Sequence, residues 1–316
     1  MNAMTLIVRR IGIAVLTLLL VSIVVFSITA SLPGDAAQAA LGQSATPEMI
    51  AALRAQLGLD QAAHLRYLHW LIGLLSGNPG QSLANNVPVR ELIALRLPKS
   101  LLLAGVAAAV SVPIALSIGI LSATYRDSRL DRALNLITLS MVAVPEFLVA
   151  TVAVLIFAVR LHWLSALSYA PDNPGMGQFL RAYALPVMTL CFVIVAQMAR
   201  MTRAAVLDQV DRSYVEMAIL KGASPARVVL AHALPNAVGP IANAVALSLS
   251  YLLGGAIIVE TIFNYPGIAS LMVDAVTNRD MPLLQACAMI FCCAYLALVL
   301  LADVVAIASN PRLRNQ

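Results

Sequence analysis

The sequence predicts an all-α membrane protein. It has six membrane-crossing helices, an outer-face insertion after the first, and a polar loop on the inner face before the fifth. Three observations carry this. Hydrophobic residues make up 61% of the chain and charged residues only 11%, where soluble domains carry about a quarter; the mean hydropathy is +0.89. So few charges cannot cover a globular surface in water. Apolar runs long enough to span a bilayer recur along the chain. Finally, Lys and Arg gather on alternate loops, as cytoplasmic loops require. The net charge of +5 therefore implies no nucleic-acid partner, because basic and aromatic residues do not interleave in a groove-like pattern.

The first run, 11–31, follows Arg9-Arg10. It exceeds the apolar core of a signal peptide and reads as an uncleaved span, so residues 1–31 form the N-terminal transmembrane helix. Pro33-Gly34-Asp35 stops it. An extracytoplasmic insertion then occupies 32–99. It holds a short helix opened by Thr46-Pro47-Glu48 and ended by Gly58, and a second from Asp60 to about Gly77. Tyr67 and Trp70 lie on the second, which either rests at the membrane–water interface or packs on its extramembrane partner helix. A five-helix core follows over 100–308, with spans near 101–124, 133–159, 185–199, 237–259 and 283–308. The fourth is short and extends at one end. Residues 309–316 form a cytoplasmic tail. Six spans put both termini inside. Arg9, Arg10, Arg126, Arg129, Arg132, Arg200, Arg203, Arg212, Lys221 and Arg227 then face the cytoplasm, against Arg160, Arg181 and Arg279 on short outer loops.

The polar loop within 200–236 is the most informative stretch. Ser213 is placed to cap a helix with Glu216 at the third position. Ala218 is small enough for a close partner, and Gly222 suits a left-handed stop. Ser224-Pro225 restarts a second short helix that runs to about Ala233, with Val228, Val229 and Leu234 as apolar contacts. The spacing Glu216-Met217-Ala218, three residues, Gly222, nine residues, His232-Ala233-Leu234-Pro235 resembles the EAA loop of ABC importer permeases. Met217 stands where that pattern has Ala. His232 stands where an aliphatic residue is usual, a departure common in permeases of the peptide, nickel and glutathione type. Leu57-Gly58-Leu59-Asp60, Arg96-Leu97-Pro98, Val259 to Gly267, Asn278-Arg279-Asp280 and Asn310-Pro311-Arg312 extend the resemblance over nearly the whole chain.

The resemblance implies a type I importer fold in a bacterial-type inner membrane. It implies a second permease subunit, two ATP-binding subunits and an extracytoplasmic solute-binding protein as partners, and no catalysis by this chain. The loop residues Glu216, Met217, Ala218, Lys221, Gly222, Ser224, Pro225, His232 and Leu234 become a coupling helix for the ATPases. ATP and Mg are expected on those partners, and no G-x-x-x-x-G-K-[ST] phosphate loop occurs here. Peptides, nickel chelates and glutathione stay open as cargo, as do identical and different permease partners. A secondary transporter or channel working without ATPases is the alternative reading.

Inside the spans, Glu146 follows Pro145 near the middle of the third. An ionisable group at that depth costs about 2.5–3.5 kcal/mol on insertion scales. Either it lines the translocation path, where it contacts a cationic group such as a peptide amino terminus, or it is a structural glutamate between helices. Glu260 and Asp303 lie near span ends, within reach of water. Gly254-Gly255 permits close helix approach, with a second permease as the expected neighbour. The 4 cysteines, Cys191, Cys287, Cys292 and Cys293, read as small buried thiols. His64 and His69 lack metal-ligand spacing.

Overall fold

A computed structural model of the protein describes residues 3–31, 46–56, 61–168 and 175–309. Among them the regular structure is helical, apart from an isolated bridge between Gln81 and Pro88. The helices are α1 (Ala3–Ser31), α2 (Pro47–Gln56), α3 (Ala63–Leu75), α4 (Val89–Thr124), α5 (Arg129–Ala143), α6 (Glu146–Arg160), α7 (Met176–Val210), α8 (Ser213–Leu220), α9 (Pro225–Ile262), α10 (Ile268–Thr277) and α11 (Met281–Ser309). By length and apolarity α1, α4, α7, α9 and α11 each suffice to cross a membrane. The pair α5–α6, bent by 94°, makes a sixth if it is one span. This is the all-α architecture expected.

The third run is thus broken where the sequence suggested one helix. Proline has no N–H for the ladder and pushes the residue before it toward extended backbone. Val144 obeys, with ψ 125°, and Pro145 becomes the N-cap of α6. The fourth helix is 35 residues long, extending beyond 185–199 at both ends and keeping Pro186 inside it. The second long helix begins at Val89, so Arg90, Arg96 and Lys99 belong to its first turns. Pro33 to Asp35, Gly58, Asp60 and residues 310–316 lie outside the described residues.

The chain divides into two compact units. One comprises 13–101 and 266–294. Its core joins Val89, Ile268, Leu271, Ala275, Leu283 and Cys287. Tyr67 and Trp70 of α3 pack on the first long apolar helix. They meet Phe26 of α1 at ring distances of 5.5 and 5.9 Å, and the Tyr67 hydroxyl lies 2.8 Å from Ser22 Oγ. α3 starts at Ala63, with Ala62 as its N-cap. Asp280 precedes α11 and accepts from Leu283 N at 3.4 Å, from the Ser82 hydroxyl and from Ala84 N at 3.5 Å.

The other unit comprises 1–12, 102–265 and 295–316. α7 is its axis. Leu185, Leu190, Ile194, Met198 and Ala199 are buried there with Leu103, Ala150, Leu252 and Phe263. Glu260 corrects the sequence expectation, whereas Asp303 keeps the partial exposure expected of it. Glu260 is fully buried, because Phe263 and Tyr265 beyond it are buried too and that end of α9 is interior. Asp303 pairs with Arg10 at 3.2 Å. Of the thiols, Cys191 and Cys287 are buried, Cys292 is half-buried and Cys293 is exposed.

Candidate functional site

α7 runs out at Val210, and Asp211 caps its C-terminus. The chain turns at Arg212 and enters α8. The N-cap is Arg212, not Ser213, so Glu216 sits one place too deep for a capping box; its N–H instead bonds Arg212 O at 3.2 Å. Val215 and Ala218, one turn apart, are the buried residues of α8. The small size of Ala218 therefore serves packing within the chain. The remaining face projects outward: Tyr214, Met217, Ile219 and Leu220 are all exposed, Leu220 at 74%. Glu216 and Lys221 are exposed beside them.

The stop is the one the sequence predicts. Gly222 has φ +79°. Its N–H bonds Ile219 O at 2.8 Å, and Ala223 N bonds Ala218 O at 3.2 Å. These are the paired 5→2 and 6→1 bonds of a Schellman ending. Ser224 is the next N-cap and Pro225 the first helical residue. The second helix is not short, however. After Arg227 it passes through a π-helical stretch, Val228–Ala233, and continues to Ile262. Val228, Val229 and Ala233 are buried. Leu234 packs on the cluster of Ala123, Val206, Ala237 and Ile241. His232 is half-buried within the π stretch, and Asn236 Nδ2 donates to its carbonyl at 3.1 Å. Glu216, Met217, Lys221, Gly222, Ser224 and Pro225 are thus exposed along the loop, while Ala218 is buried and Leu234 half-buried within it.

Glu146 belongs to a different place. It opens α6 at the break, and its carboxylate fills the notch left by Gly255 of α9. A Cβ built on Gly255 would stand 2.5 Å from Oε1 and 2.9 Å from Oε2. Gly255 therefore admits a side chain of its own molecule, whereas Gly254 faces open space. Among the described residues the Glu146 carboxylate makes no hydrogen bond or ion pair.

One cluster escaped the sequence reading. Asp131 in the first turn of α5 is buried. It receives Arg203 Nε at 2.8 Å on Oδ1 and Arg203 Nη2 at 2.7 Å on Oδ2, the planar two-point pairing that guanidinium favours. The Ser122 hydroxyl and Asn135 Nδ2 (2.6 Å) also donate to Oδ1, and Asp127 N (3.0 Å) to Oδ2. Arg126 Nη1 bonds Asp211 Oδ1 at 2.8 Å nearby. The available signal was local: Ser128 three residues before Asp131 is a helix cap, and its Oγ accepts from Asp131 N at 3.1 Å. Among the described residues no group of three or more His, Cys, Asp or Glu side chains is arranged to hold a metal ion.

Comparison with known families decides the class. Residues 115–315 match the family described as the binding-protein-dependent transport system inner membrane component, and residues 3–104 match the N-terminal segment of such components. The chain belongs to this family. It is an ABC importer permease of the peptide and glutathione type. A probable peptide ABC transporter permease of Sinorhizobium fredii is 34% identical over 308 residues, 98% of both chains. A putative peptide transport system permease of Brucella abortus is 34% identical over 309 residues, again 98% of both. The glutathione transport system permease GsiC of Salmonella typhimurium is 36% identical over 299 residues, 94% of this permease and 95% of the relative. A permease of this family is a multi-pass inner-membrane transport component, not itself an enzyme.

Proposed function

We propose that the permease imports peptides or related small solutes, forming the path with a second permease while α8 docks into two-subunit ATPase machinery in the cytoplasm. The exposed apolar set of Tyr214, Met217, Ile219 and Leu220 carries this reading. These side chains stand on a short helix whose backbone is fixed by Arg212 at one end and Gly222 at the other. Apolar groups displayed this way favour a protein groove, since their burial contributes roughly 25 cal/mol per Å². Glu216 and Lys221 flank them and supply orientation. ATP and Mg bind the partner subunits, and a solute-binding protein delivers cargo from outside. Both termini then face the cytoplasm, in line with the loop charges. The two ATPase states must bind α8 unequally if they are to shift the permease between inward- and outward-open forms.

Within the path we place Glu146. An unpaired carboxylate in a broken span suits a cationic cargo group such as a peptide amino terminus. The names of the similar peptide and glutathione permeases support this cargo class.

The test is co-purification with the ATPase subunits. Leu220→Asp and Gly222→Asp should abolish capture while leaving the permease in the membrane. Capture unchanged in both variants, or labelling of a cysteine placed at Lys221 from the outer side, would sink the proposal.

A further inference from the structure

The Asp131–Arg203 cluster lies on the route between the docking loop and the broken span. Arg203 is about two turns from the end of α7, which leads directly into α8. Asp131 is at the start of α5, whose other end is the break before Glu146. We propose that Asp131 and Arg203 are positioning residues that clamp the first turn of α5 to α7, so that a displacement of α8 swings α5 and changes the bend at Pro145. This rests on the reading of α8 as the ATPase-docking helix.

Three features favour transmission over mere filling. First, the clamp is stiff. Both carboxylate oxygens are held by Arg203 and each takes at least one further donor, from Ser122, Asn135 and Asp127 N, so the Asp131 side chain has a single arrangement. Second, α4 is locked into the same block. Gly119 of α4 lies so close to α7 that a Cβ would stand 2.6 Å from Ala199 O and 2.7 Å from Thr202 Cβ. A second strut, Arg126–Asp211 at 2.8 Å, ties the α4–α5 turn to the residue that caps α7. Third, the helix is interrupted at the far end of α5. Pro145 brings no N–H to carry the helix ladder across, and the two halves meet at 94°. A rigid arm fastened at one end and jointed at the other moves as a lever, and its joint is where Glu146 meets Gly255. Packed elements with discrete arrangements carry coupling of this kind.

The test uses the complete transporter in liposomes with its binding protein, measuring solute imported per ATP hydrolysed and normalising to assembled complex. The wild type is scored first: import that needs no ATPase would overturn the functional reading itself, independently of the clamp. Arg203→Lys keeps the charge and loses the two-point fork; Asp131→Asn keeps the shape and loses the charge. Both should retain ATP hydrolysis while import per ATP falls roughly 2- to 30-fold. A purely structural role would lower the yield of complex and leave that ratio untouched, and an unchanged ratio overturns the inference. Should both variants fail to assemble, Ser122→Ala removes one neutral donor and is read by the same ratio, with the same outcome deciding.

Discussion

Two carboxylates stand near opposite ends of α5 and have opposite surroundings. Asp131 is buried and saturated with donors, among them a guanidinium fork. Glu146 is half-exposed, rests against a bare glycine and has no donor among the described residues. The difference separates structure from service. A carboxylate whose lone pairs are all engaged holds helices in register and is unavailable to a ligand. One left unengaged in an apolar span either takes up a proton or is met by something else, solvent in a path or a passing cation. The two glycines repeat the contrast. At Gly119 the obstacle to a side chain is the backbone carbonyl of Ala199, which cannot move aside; at Gly255 it is the tip of a flexible glutamate.

The contrast breaks most directly through Asp131→Ala. Arg203, whose side chain is 24% exposed, would lose its carboxylate, and removing one partner of a buried pair costs about 3–5 kcal/mol. The thermal midpoint of the detergent-solubilised permease should fall steeply, whereas Glu146→Gln should leave it nearly unchanged and instead weaken import of solutes with a cationic amino terminus. The opposite pattern would reverse the assignment of roles. Next in size is Gly119→Ala, expected to cost about 1–3 kcal/mol by overpacking against backbone and read by the same midpoint. Gly222→Ala forces a left-handed conformation on a residue with a Cβ, at about 1–2 kcal/mol. Its mark should be weakened capture of the ATPase subunits at near-normal permease yield. The smallest effect is Gly255→Ala, under about 1 kcal/mol, because Glu146 can swing away. In a Glu146→Ala background that cost should vanish, and a double-mutant cycle showing no interaction energy would remove the notch.

Much of the loop was legible in the sequence because caps and stops are short-range chemistry. Gly222 and Ser224-Pro225 act through bonds between residues three to five apart, and both appear where the spacing put them. The capping role given to Ser213 and Glu216 slipped by one residue, since Arg212 offered the extended backbone that begins the helix. The length of the second helix was hidden for another reason. Leu234-Pro235 looks like punctuation, yet a proline in the first turn of a helical stretch is tolerated, and the preceding π stretch lets α9 continue.

Glu260 shows the limit of hydropathy: position near a span end says nothing about whether neighbouring chain covers it. Asp131 and Arg203 are 72 residues apart, and in the sequence each is one more charge in an inner loop. Composition, apolar period and cap residues by themselves determined that this chain is helical, crosses a membrane repeatedly and carries a capped polar loop, whose spacing resembles that of importer permeases, since those signals depend only on what lies within a turn or two along the chain. Which carboxylate meets arginine and which meets glycine was decided by how each helix is rotated about its own axis, and that rotation is set by packing against helices distant in sequence.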